Sequence, residues 1–186
     1  MVMPALTREW TAEMVRAIPD DLNQYQVVDG ELFVTPAPAW RHGDILTELY
    51  LLFANYLKKH AVAHVKLSPQ DVELDYRTLV QPDLFVVPLI DGRKPRTWKE
   101  AGQLLLAIEV LSPSTARLDR SVKRERYQRQ RVPEYWIVDI DARLVERWRP
   151  DDERPEILTG TIEWAGPFTD EKLEIALPAL FVAALD

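Results

Sequence analysis

Two acidic residues stand where an acid is costly. Asp83 follows Pro82 inside the apolar run 79–87, and Glu109 is the one charge in the run 104–111, LLLAIEVL. An ionised carboxylate in an apolar strand must be paired, hydrogen-bonded or bound to a cation. Taken singly, each acid is read equally well as a strand-end carboxylate reaching water or an arginine. On neighbouring strands the two would converge on one divalent ion, and their hard oxygen donors select magnesium or manganese over zinc. Cysteine is absent, which excludes disulfides, thiolate metal sites and a thiol nucleophile. Nitrogen ligands could come only from His42, His60 and His64.

A second cluster is basic. Seven Lys and Arg residues lie between Arg117 and Arg131 (Arg117, Arg120, Lys123, Arg124, Arg126, Arg129, Arg131) against two acids, Asp119 and Glu125. At helical spacing Lys123, Tyr127, Arg120, Arg124 and Arg131 share one arc, with Leu118 and Val122 on another. From spacing alone, a solvated face carrying an Asp119–Lys123 pair is the simpler reading. The chain as a whole carries a net charge of −7, which argues against a sequence-independent nucleic-acid coat. With 186 residues and 47% hydrophobic composition it has enough apolar content for one domain spanning 1–186. No run approaches the roughly 20 apolar residues of a spanning helix, and no secretory signal opens the chain, so the expectation is a cytoplasmic protein without membrane contact.

The elements that must position these groups follow from periodicity. YQVV and ELFV flank Asp29-Gly30, the dipeptide of a tight hairpin. From His42 to about Lys59 apolar residues recur with a helical period. Three strands are expected in VAHVKL, DVELD and LVQPDLFVV, and LLLAIEVL reads as a strand covered on both faces. A helix over about 115–131 leads to the strand EYWIVDI, with RLVERWR pairing beside it and Trp136 packing across strands with Trp148. The remainder predicts one or two edge strands and a short helix at PALFVAAL. A strand-helix-strand crossover among runs of neighbouring strands implies an α/β (α+β mixed) fold, a central mixed β-sheet flanked by helices.

Pro82-Asp83 followed one strand later by Glu109-Val110-Leu111 resembles the Pro-Asp…(Asp/Glu)-X-Lys signature of the restriction-endonuclease-like nucleases. More narrowly, IEVLSPST, the helix carrying Asp119, Lys123 and Tyr127, and PEYWIVD resemble the Uma-two family, bacterial proteins described as endonucleases. The likeness covers roughly residues 20–140. It implies a restriction-endonuclease-like fold and a metal-dependent nuclease that hydrolyses DNA with Mg2+ or Mn2+. Asp83, Glu109 and the Val110 carbonyl would hold the ion. The usual lysine position is Leu111, and a hydrocarbon cannot polarise water or screen a phosphorane. The resemblance therefore assigns that role to Lys123, relocated to the following helix, with Arg120 and Arg124 as phosphate contacts. Glu31 and His42 match family residue types and are accessory candidates for the metal shell or a general base, although cap or loop roles are the simpler reading of each. A homodimer would suit cutting of two strands. The rival is a nuclease-like scaffold without cleavage activity, which Leu111 and the negative net charge favour.

Overall fold

The computed structural model describes residues 9–19, 21, 23–35, 39–167 and 169–186. Of the polar stretch 1–20, residues 1–8 and 20 lie outside these; within it a short helix α1 (Ala12–Arg16) forms, capped by Thr11. The hairpin is as expected: β1 (Gln24–Val28) pairs antiparallel with β2 (Glu31–Thr35) around Asp29 and Gly30, whose φ values are +51° and +86°. Two successive positive φ values are what the strand twist requires of a two-residue turn, and the second falls on glycine. Helix α2 (Trp40–Lys59) buries His42, Ile45, Leu49, Phe53, Tyr56 and Leu57 along one face.

After α2 come β3 (Ala63–Leu67), β4 (Val72–Asp75), β5 (Thr78–Val80) and β6 (Leu84–Pro88). The run 79–87 is therefore two strands where one was expected. Pro82 has no N–H to give a ladder, and at Gln81-Pro82-Asp83 the chain leaves one sheet for another. β5 lies in an antiparallel sheet of order β2-β1-β5-β4, whereas β6 lies in a six-stranded sheet. A short helix α3 (Trp98–Ala101), also not anticipated, precedes β7 (Leu106–Val110).

Between β7 and β8 (Glu134–Asp139) runs the crossover, which is not uniformly α-helical. Leu118–Lys123 forms a π-helix that continues into α4 (Arg124–Arg129). β9 (Leu144–Trp148) and β10 (Glu156–Leu158) extend the large sheet, whose order is β10-β9-β8-β7-β6-β3 with β7 and β8 parallel. The C-terminal part holds three strands rather than one or two: β10, then β11 (Thr161–Ala165) paired with β12 (Lys172–Ala176), before α5 (Leu177–Leu185).

The large sheet is buried on both faces. Leu84, Val86, Ile108, Val110, Trp136 and Val138 pack with α2, α5 and the β11–β12 pair. On the opposite face Phe85, Val87, Ala107, Tyr135 and Ile137 pack with Tyr127 of α4 and with Val28, Val72 and Val80 of the smaller sheet. Trp136 and Trp148 belong to these opposite cores, so they do not pack on one another as expected; alternation of side chains along paired strands separates them. Among the described residues no helix is long and apolar enough to cross a membrane.

Candidate functional site

The strand register brings the two acids together. β6 pairs antiparallel with β7 through Leu84↔Ile108, and extending that register by one residue sets Asp83 opposite Glu109. Opposed residues on paired strands leave the same face, here the face covered by the crossover helix. The bond from the Val110 main-chain N–H to Asp83 Oδ2, 2.8 Å, fixes one carboxylate over the end of β7. The same oxygen lies 3.1 Å from His42 Nε2, contributed by the first turn of α2.

Lys123 meets the other acid from above. Its Nζ donates to Glu109 Oε1 at 2.8 Å and lies 3.4 Å from Asp119 Oδ1, and the Tyr127 hydroxyl donates to Glu109 Oε1 at 3.3 Å. Lys123, Glu109 and Asp119 are 2%, 3% and 1% exposed. Asp119, Lys123 and Tyr127 repeat every four residues, and across the π-helix-to-α-helix junction that spacing keeps all three over the sheet. A π-helical stretch inside a crossover is itself a feature common at functional sites.

The charges here are strongly coupled. Burial pushes the Glu109 carboxyl well above its usual range, against the pull of Lys123, and the nearby charges of Asp119 and Asp83 push it the same way. Burial likewise raises Asp119, opposed by Lys123. For Lys123 burial works against the charge, but Glu109, Asp119 and Asp83 outweigh it and the ammonium is held more firmly than in water. Burial also disfavours a charged His42, and its hydrogen bond to Asp83 and the charge there reverse the sign, so its pKa is raised. Burial raises the Tyr127 phenol, helped by the Glu109 charge, so it stays a donor.

His42, Asp83, Glu109, Asp119 and Lys123 line a cavity of about 210 Å³ together with the neutral residues Gln24, Gln26, Thr35 and Gln81. Three buried polar atoms of the lining residues have no hydrogen-bond partner among the described residues, Thr35 Oγ1, His42 Nδ1 and Gln81 Oε1, and Asp119 Oδ1 is met only by the Lys123 ammonium at 3.4 Å. Unpaired buried polar groups are costly. Three carboxylates facing one ammonium also leave surplus negative charge. Hard oxygen donors, surplus negative charge and idle polar atoms together fit a hydrated cation. No three His, Asp or Glu side chains form a ready-made metal shell among the described residues.

The remaining candidates lie elsewhere. Glu31 is exposed at the start of β2 and does not line the cavity. Arg120 bonds Glu146 at 2.7 Å and Asp139 at 2.8 Å, and Arg124 sits 5.0 Å over the Trp148 ring and donates to Gln128. Neither arginine lines the cavity. The single arc read for the crossover helix is split, Lys123 and Tyr127 turning to the sheet and the two arginines toward β9. Asp119 joins the site as a third acid, and its spacing from Lys123 and Tyr127 was the signal for it. Gln26, Thr35 and Gln81 carried no such signal, because they reach the cavity only through the placement of one sheet against another.

Residues 12–178 match the sequence profile of the Uma-two (Uma2) family, described as "Putative restriction endonuclease". The chain belongs to the Uma2 family. The matched span contains every residue lining the cavity. Among solved structures, the Uma2 chain superimposes on one described as a "putative nuclease belonging to DUF820" from Anabaena variabilis ATCC 29413, with a TM-score of 0.76 and 21% identity, over 95% of this chain and 99% of that one. This likeness establishes the fold as restriction-endonuclease-like. No curated protein matches the chain significantly.

Proposed function

We propose that this protein is a divalent-metal-dependent nuclease that hydrolyses phosphodiester bonds of DNA. The observation that carries the reading is that Asp83 just before β6, Glu109 of β7 and Lys123 of the crossover helix line one cavity, with the lysine ammonium 2.8 Å from Glu109. Asp83 and Glu109, with the Val110 carbonyl, would hold Mg2+ or Mn2+. When bound, such an ion supplies a Lewis acid for a phosphate oxygen and lowers the pKa of an attacking water.

The chain's own residues do the rest. Val110 N–H and His42 orient the Asp83 carboxylate. Lys123 counters the effect of burial on Glu109 and would offer positive charge where negative charge builds up in the transition state, the role that Leu111 cannot fill. Tyr127 donates to the same Glu109 oxygen as Lys123 and, with its raised pKa, does not compete as an anion. Cutting both strands of a duplex would take two copies related by a two-fold axis.

A second reading has a specific observation behind it. Lys123 is fully engaged by two carboxylates, which leaves it less free to act on a substrate and favours a binding scaffold without cleavage. Plasmid cleavage in Mg2+ or Mn2+ by wild type and Asp83→Ala separates the two: the nuclease reading expects loss of at least 100-fold in the variant, and equal rates, or no cleavage by wild type, would sink it.

A further inference from the structure

Part of the cavity wall is neutral, formed by Gln24, Gln26, Thr35 and Gln81, of which Gln24 and Gln81 donate their amide N–H groups to Ser68 and Asp71. Gln24 and Gln26 alternate along β1 and so leave the same face, and Thr35, the register partner of Gln24 on β2, shares it. Gln26 is 3% exposed. Its Oε1 accepts the main-chain N–H of Gln81 at 2.9 Å. A main-chain N–H can meet only the oxygen end of a side-chain amide, so this one contact fixes the orientation of Gln26. The amide nitrogen, with its two N–H donors, is left for other partners, and Gln26 lines the cavity. Thr35 is 8% exposed, and its hydroxyl is buried without a hydrogen-bond partner among the described residues.

A donor so oriented, on a residue that lines the cavity, is available to an acceptor that the protein itself does not supply. The chemistry of the cavity narrows what that acceptor is. Apart from His42, the one cationic side chain lining it is Lys123, which Glu109 and Asp119 already engage, and Arg120 and Arg124 lie outside. A phosphodiester with one non-bridging oxygen turned to the acidic wall and its cation would present the other to the neutral wall. Resting on the nuclease reading above, we propose that Gln26 is a substrate-binding residue whose Nε2 donates to a non-bridging phosphate oxygen, with the Thr35 hydroxyl beside it. The protein grips phosphate at this point with neutral donors rather than arginine.

A purely structural Gln26 would serve only to brace Gln81, and two variants tell the roles apart. Gln26→Glu keeps the shape and the acceptor for the Gln81 N–H but replaces the donor with an anionic oxygen. Gln26→Met removes the donor without adding charge but also removes the acceptor of the Gln81 N–H, so its Mn2+ binding reports whether Asp83, two residues on, is still in place. Affinity for a labelled duplex oligonucleotide in Ca2+ is measured well below the melting temperatures, alongside Mn2+ binding by calorimetry. The expected result is wild-type Mn2+ binding in Gln26→Met, a melting temperature near wild type in Gln26→Glu, and oligonucleotide affinity lowered about tenfold or more in both. Affinity within twofold of wild type in Gln26→Met overturns the assignment whatever the glutamate variant does, and leaves the nuclease reading intact. Wild type that binds neither Mn2+ nor oligonucleotide overturns the nuclease reading and this inference with it.

Discussion

Replacing Lys123 with methionine removes a buried charge while keeping most of the side-chain volume. In the folded protein its ammonium is 2% exposed and is shared by Glu109 at 2.8 Å and Asp119 at 3.4 Å. Removing one partner of a buried pair costs about 3–5 kcal/mol, because the other charge is left uncompensated. Protonation of one carboxyl limits that cost without removing it, and for a chain of this length a loss of about 3–5 kcal/mol at pH 7 lowers the melting temperature by roughly 6–20 °C. The pH dependence has a defined sign. In Lys123→Met the acids have folded-state pKa values raised above their unfolded ones, so the deficit is largest at neutral pH and shrinks as pH falls toward the unfolded carboxyl range. Urea unfolding of wild type and variant at pH 7 and pH 5 reads both features. Arg131→Met, which breaks an exposed pair with Asp151, serves as a control that leaves the midpoint nearly unchanged. A loss below about 1 kcal/mol at pH 7, or an equal loss at both pH values, would refute the reasoning.

Three further outcomes are expected. Arg126 is buried and ion-pairs with Asp29 of the hairpin turn and Asp75 of β4; since both acids are partly exposed, Arg126→Met should cost about 1–2 kcal/mol by urea unfolding, and no loss would mean the helix is not tied to the small sheet through it. For Asp139 burial raises the pKa, but the Ala142 N–H and Arg120 outweigh it and leave the folded value below the ordinary 3.8. Its stabilisation is therefore present above that value and lost as pH falls through the lower folded one, so the stability gap between wild type and Asp139→Asn should narrow as pH falls below the ordinary 3.8, and a gap that widens in acid would contradict it. Arg120→Ala should retain oligonucleotide cleavage within about threefold, because its guanidinium serves Glu146 and Asp139 outside the cavity; a loss near that of Asp83→Ala would return it to the site.

Local chemistry made much of this molecule legible in advance. Asp29-Gly30 announced the hairpin, the helical period of Ile45, Leu49 and Phe53 announced α2, and Glu109 amid LLLAIEVL marked a buried strand carrying an acid. What escaped depended on long-range placement. Pro82 was visible, but not that the chain changes sheets there, which is what puts Asp83 at the mouth of the cavity. An ideal helical wheel grouped Lys123 with Arg120 and Arg124, and the π-helical stretch separates them. Gln26 and Thr35 looked like ordinary alternating strand residues, because nothing local says that their face meets the carboxylates of the other sheet. Trp136 and Trp148 were paired by strand adjacency, when the register sends them to opposite faces.

The claim on which the rest depends is that Asp83 and Glu109 share one divalent ion. Crystals soaked in Mn2+ and measured at the manganese edge test it without reference to turnover. An anomalous difference peak between the two carboxylates, absent in Glu109→Gln, is the predicted result; a peak only at another place in wild type, or the same peak retained without the Glu109 carboxylate, would contradict it.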